Sequence, residues 1–122
     1  MNDFNAFRKK NKMLILINTN VDNLDIAKKI AYQLVSKKMA ACVNITPKVL
    51  SIYHWQGEVQ EQEEYTLSIK ATTDKFEEIE RIIKSLHTYE LPEIIGIDIS
   101  KCSIDYFNWI HNCIHQHIPE EK

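Results

Sequence analysis

The sequence predicts an α+β protein of the ferredoxin-like, split βαβ class, an antiparallel sheet backed by helices with one extra helix at the C-terminal end. Three observations carry that expectation. The order of apolar patterns is strand, helix, strand, strand, helix, strand, and then a further helix. The two middle strands are unusually long and are joined by a short Gly-containing linker, as in a β-hairpin. At 122 residues and 14.3 kDa the chain fits one domain.

Each element has a local reason. Met13 to Asn18 is apolar and β-branched at Ile15 and Ile17, which reads as a buried strand. From Asp22 to Lys38, Leu24, Ala27, Ile30, Ala31, Leu34 and Val35 recur at helical spacing. Asn20 or Asp22 can cap that helix, and Lys37 and Lys38 suit its last turn. Ala40 to His54 is rich in Val, Ile and Tyr and breaks at Pro47. Val59 to Thr72 alternates, with Tyr65, Leu67, Ile69 and Ala71 on one face. Trp55-Gln56-Gly57 links the two.

The second helix spans Thr73 to Leu86, with Phe76, Ile79, Ile82, Ile83 and Leu86 in one stripe and Thr72 or Thr73 as cap. Leu91-Pro92 interrupts the chain. Ile94 to Ile99 reads as another buried strand. Ser103 caps a last helix that places Ile104, Phe107, Ile110 and Ile114 together. The expected organisation is a polar extension over 1–11, one domain over 12–118 and a charged tail over 119–122. A strand of 14 residues spans roughly 45 Å, against a radius of gyration of about 14 Å for a chain of this length. Such a hairpin must bend, project or pair with another subunit, so oligomerisation is expected on length alone.

Composition narrows the function. Apolar residues are 44% and charged residues 26%, with a net charge of −2 and a pI near 6.2. No basic surplus speaks for nucleic acid. The longest apolar run, Met13 to Ile17, is far below the ~20 residues of a membrane helix. Only Gly57 and Gly96 occur, so Gly-rich phosphate loops are absent. The three cysteines, Cys42, Cys102 and Cys113, are odd in number and scattered, which predicts free thiols in a reducing, cytoplasmic compartment. Cys42 lies in an apolar stretch, and no Ser has the Gly neighbours of a nucleophile elbow. No acyl-transfer apparatus is visible.

Several polar clusters could carry function. His87-Thr88-Tyr89-Glu90-Leu91-Pro92-Glu93 sets an imidazole, a phenol and two carboxylates between a helix and a strand. These groups can ligate a divalent metal or pair as acid and base, or they can simply end a helix and make a turn. Tyr53, His54 and Trp55 can line a pocket or an interface, or plug the hairpin tip. Lys70 can bind an anion or stay solvated. Glu58, Glu61, Glu63 and Glu64 lack the spacing of a calcium loop and suit a solvated edge. His111 and His115 share a helix face fit for two metal ligands, with Cys113 and His117 nearby, on a chain end that would fray.

Taken in order, these stretches resemble the CutA divalent-cation tolerance family. The residues carrying the resemblance are Ala40-Ala41-Cys42-Val43-Asn44-Ile45, Pro47, Ser51-Ile52-Tyr53-His54-Trp55-Gln56-Gly57, Glu64, Ile69-Lys70, His87 to Ile95, and Asp105-Tyr106-Phe107-Asn108-Trp109-Ile110. It runs from about Met13 to Ile114. The resemblance implies a tight homotrimer in which long hairpins join sheets between neighbours, and a link to tolerance of copper and other divalent cations, without an established reaction. It implies His87, Glu90 and Glu93 as metal ligands, for copper or zinc, and Tyr53, Trp55, Glu64, Lys70, Tyr89, Tyr106 and Trp109 as pocket or interface residues. No cofactor is required.

Three positions depart from the family pattern. Thr88 stands where a Pro usually follows the loop His, and Leu86 where some members have a second His. Asn18 stands where bacterial members carry a copper-binding Cys, which shifts the expected preference from Cu(I) toward Cu(II) or Zn(II). Two further readings remain open: a PII-like sensor of a small molecule or anion, with Lys70, Tyr53, Trp55 and Glu90 in an inter-subunit cleft, and an assembly scaffold.

Overall fold

The computed structural model describes residues 13–115. The expected extension over 1–11, the tail over 119–122 and His117 lie outside the described residues. Four antiparallel strands form one sheet in the order β2-β3-β1-β4: β1 Leu14–Val21, β2 Cys42–Trp55, β3 Glu58–Thr72 and β4 Ile95–Asp98. Helices α1 Leu24–Ser36 and α2 Phe76–Leu86 follow β1 and β3, and α3 Ile104–His115 ends the described chain. The class, the element order and the long hairpin are those predicted.

β1 sits between β3 and β4, so it anchors the sheet. Ile15, Ile17 and Val21 are buried and join the core with Ala27, Ile30 and Leu34 of α1, Ile79 and Ile83 of α2, and Phe107, Ile110 and Ile114 of α3. The strand runs three residues beyond the predicted Asn18. Thr19, Asn20 and Val21 continue the alternation and pair with Leu67, Thr66 and Tyr65. Polar side chains at Asn18 and Asn20 hid this, because they occupy the non-core face of a strand whose other face is buried.

The N-cap of α1 is Asn23, whose Oδ1 accepts from the Ile26 N–H at 3.1 Å. It is neither Asn20, which lies in β1, nor Asp22. The helix ends at Ser36, and Lys38 adopts a left-handed φ of 61° just beyond it. Leu24 and Val35, predicted on the core stripe, are exposed.

The hairpin closes on Gln56 and Gly57 with φ of 51° and 83°. Two positive φ values in a two-residue loop are those of a type I′ turn, whose twist matches that of the strands. At Pro47 the register breaks between Thr46 and Val49, and Lys48 takes a φ of 63°. The bulge bends β2 where Pro cannot donate to the ladder.

A 3₁₀ turn, Thr73–Lys75, precedes α2. Thr72 does not cap it through its side chain; the hydroxyl lies 3.0 Å from His115 Nε2. β4 is an edge strand and is not buried as predicted. Ile95 and Ile97 are each about half exposed (50% and 48%) on the outer edge of the sheet. Gly96 between them is required: a Cβ there would meet Ile15 Cδ1 at 2.7 Å and the Phe76 ring at 3.2 Å. Ser103 Oγ accepts from the Tyr106 N–H at 3.3 Å, capping α3 as predicted. Ile104, predicted on the apolar side of α3, is exposed.

Candidate functional site

A cleft of about 670 Å³ opens where the outer half of the hairpin meets the loop after α2. Ser51 to Trp55 come from β2, Gln62 and Glu64 from β3, Asn20 from the end of β1, and Tyr89, Glu90, Leu91 and Glu93 from the loop. Alternation along β2 and β3 brings the polar members together, since Ser51 pairs with Gln62 across the hairpin.

Glu64 forms the buried floor, 6% exposed. Its two carboxylate oxygens each accept from a hydroxyl: Oε1 from Ser51 at 2.5 Å and Oε2 from Tyr89 at 2.6 Å. Burial, and then the hydrogen bond and negative charge of Glu64, push the Tyr89 phenol well above its usual pKa, with Asp22 and Tyr53 adding smaller effects. Tyr89 therefore stays protonated and keeps donating. Tyr53 donates to Gln62 Oε1 at 2.9 Å, and Gln62 reaches Asp22 at 3.5 Å.

His87 stands behind this wall and fixes it. Its Nε2 lies 2.7 Å from the Asn20 carbonyl, and its Nδ1 accepts from the Tyr89 N–H at 3.1 Å. A carbonyl can only accept, so Nε2 is the donor in that bond. The Tyr89 ring packs against the imidazole at 4.5 Å. Asn20 ties the same loop down by donating from Nδ2 to Glu93 at 3.2 Å, while its Oδ1 accepts from Thr66 at 2.7 Å.

The predicted site residues therefore divide. Tyr53, Trp55, Glu64, Tyr89, Glu90 and Glu93 line one cleft. Lys70 is elsewhere, donating to Asn44 Oδ1 at 2.8 Å with its ammonium 5.9 Å from the Tyr106 ring. Tyr106 in turn stacks on Trp109 at 5.4 Å. Glu64 leaves the acidic run: Glu58, Glu61 and Glu63 are solvated and Glu64 is not. Sequence reasoning missed Asn20, Ser51 and Gln62. The alternation of β2 and β3 could have found the last two, whereas nothing local marks Asn20.

The other candidates resolve differently. Cys42, Cys102 and Cys113 are free thiols, as expected. His111 is buried against Phe107, and His115 contacts both Thr72 and Asp74. Among the described residues no three His, Cys, Asp or Glu side chains stand together so as to hold a metal. Both ring nitrogens of His87 are engaged by backbone. No helix among the described residues is long and apolar enough to cross a membrane.

The described chain is a small α+β sheet protein with a cleft on the flank of a long hairpin. Residues 15–113 match the family described as CutA1 divalent ion tolerance protein, and the chain belongs to that family. It is 42% identical over 90 residues to the divalent-cation tolerance protein CutA of Thermus thermophilus, covering 74% of this chain and 87% of that one. It is 37% identical over 98 residues to the chloroplastic protein CutA of Arabidopsis thaliana, covering 80% of this chain and 54% of that longer relative. The solved structure of the periplasmic divalent cation tolerance protein CutA from Archaeoglobus fulgidus superposes with a TM-score of 0.82 at 32% identity, covering 84% of this chain and all of that one (100%).

Proposed function

We propose that the chain serves divalent-cation tolerance as a non-enzymatic homotrimer, and that the cleft is where it meets its cation. The observation that supports this most is the charge of the lining: three carboxylates, Glu64, Glu90 and Glu93, and no Lys or Arg. That polarity suits a cation.

Copper or zinc would be met at the cleft mouth by Glu90 and Glu93. These are hard ligands that accept borderline divalent ions. His87 contributes by holding the loop that carries both, and remaining ligands come from water or a neighbouring subunit. The trimer reading rests on the long hairpin and on the apolar side chains of β2, β4 and α3 left uncovered in one subunit, among them Ile52, Ile95, Ile97 and Trp109. The folding unit is taken as 12–118, and the location as cytoplasmic, which the free thiols favour.

Calorimetric titration of Cu(II) and Zn(II) tests the site. Wild type is compared with Glu90→Gln/Glu93→Gln, with His87→Ala and with a chain ending at Ile114. The expected result is weaker binding in the first two and little change in the third. If the double variant binds as wild type while the truncation abolishes binding, the cleft is not the site. Sedimentation equilibrium tests assembly: three times 14.3 kDa is expected, and a monomer mass refutes it.

A further inference from the structure

We infer that the cleft is a receptor for an organic ammonium ion, a small molecule whose positive nitrogen sits at Glu64 and whose body runs out along the hairpin past Tyr53 toward Trp55. This goes beyond the metal reading, which shares the charge of Glu64 but places its ion at the mouth. The mouth carboxylates Glu90 and Glu93 belong to that reading, whereas this one uses the floor and walls.

Glu64 is a buried carboxylate whose hydrogen-bond partners are two neutral hydroxyls, Ser51 and Tyr89. No Lys, Arg or His among the described residues forms an ion pair with it. Burying a carboxylate without a counter-charge is costly, and each of its oxygens has a further lone pair to offer. A cation arriving at this floor relieves that cost.

The walls specify which cation. Tyr53 and Trp55 line the same cavity further along the hairpin, opposite Gln60 and Glu58 in the register, and offer aromatic surface to the ligand's body. Ile52 and Leu91 add apolar surface for the ligand's body. A strongly hydrated metal ion gains nothing from such walls, while an ammonium on a hydrocarbon frame gains from both parts. A volume of about 670 Å³ fits a small organic molecule and lies in the ordinary range for ligand pockets, roughly 300–1,000 Å³.

The test uses three probes with one body: 3-phenylpropylammonium, 3-phenylpropanol and 3-phenylpropionate. They are titrated into the full chain in the presence of a chelator, so that a failure here is separate from a failure of the metal reading. The sequence has two tryptophans, and Trp109 lies outside the cleft, so fluorescence of a Trp109→Phe background reports on Trp55. The ammonium should bind about ten-fold or more tightly than the alcohol, the scale of one charge-assisted contact, and the propionate should not bind. Glu64→Gln should erase the preference for ammonium over alcohol. Should that variant not fold, Tyr53→Leu serves instead, with binding expected to weaken about three-fold or more for loss of one ring. Equal affinity for ammonium and alcohol in wild type overturns the inference, as does a preference or affinity unchanged by the variant. Sedimentation with saturating ammonium separates the two sources of such a cation. Unchanged mass supports a free small molecule, and a fall in mass overturns it in favour of a lysine from a second copy.

Discussion

His87 and Asn20 are joined across the molecule by a single bond: the imidazole Nε2–H at the end of α2 donates to the main-chain carbonyl at the end of β1, 2.7 Å away. The residue with the most promising metal chemistry in the sequence is thereby a latch. Its other nitrogen holds the Tyr89 N–H, so one ring orders the loop from both sides.

Replacing His87 should loosen that loop. His87→Ala leaves the Asn20 carbonyl and the Tyr89 N–H without their partner, a loss of about 1–3 kcal/mol. Urea unfolding should show a lowered midpoint with an unchanged m-value. A midpoint equal to wild type would mean that the latch contributes nothing.

Tyr89 should resist ionisation. Its phenol is neutral in the fold beyond the pH at which free tyrosines titrate, because burial and the Glu64 carboxylate oppose the anion. Ultraviolet titration of wild type and Tyr89→Phe should give the same absorbance change around pH 10, since Tyr89 adds none there. The linkage sign follows. The raised folded value stabilises fully below the unfolded phenol value of ~10. That contribution is lost as pH climbs above it toward the folded value. Alkaline unfolding of Tyr89→Phe should accordingly be less steep.

Asp74 should show the opposite dependence. Burial raises the Asp74 pKa, but the Thr72 hydrogen bond and the charge and hydrogen bond of His115 outweigh it, and the carboxyl lies below its usual value. A depressed carboxylate adds stability above its unfolded value, and that stability is lost as pH falls through the folded one. Asp74→Asn should cost about 0.5–1 kcal/mol near pH 6, the scale of a partly exposed pair. Denaturant curves at descending pH should bring variant and wild type together below the ordinary carboxylate range. A pH-independent gap would refute the linkage.

Gly96→Ala should be disfavoured without touching the cleft. The added methyl meets Ile15 Cδ1 in the core. Overpacking of this kind costs about 1–3 kcal/mol. Calorimetric melting checks it, and an unchanged Tm would show that Ile15 can turn aside.

How far the sequence revealed this molecule depends on distance along the chain. The hairpin was legible because its alternation and its Gly are local signals. Helix stripes were legible for the same reason, down to Phe107 and Ile110. The caps were less so, because Asn20, Asp22 and Asn23 are chemically interchangeable until β1 is known to run to Val21. The site was half legible. Tyr53, Trp55, Glu64, Tyr89, Glu90 and Glu93 could be named, since each sits in a dense polar or aromatic run. That Lys70 pairs with Asn44, and that His87 spends both nitrogens on backbone, follow only from contacts between distant segments.

The placement of β1 at the centre of the sheet also governs how the chain is made. Ile15 pairs with Ala71 on one side and with Asp98 on the other. A ribosome delivers the N-terminal segment first, at roughly 5–20 residues per second. β1 must therefore wait, apolar and unpartnered, while β2 and β3 zip together through their own tight turn. Only when the segment around Gly96 has left the exit tunnel can the sheet close around its first strand. Non-local closure of this kind slows folding, and it leaves the apolar side chains of Leu14–Val21 without their full set of neighbours during that interval.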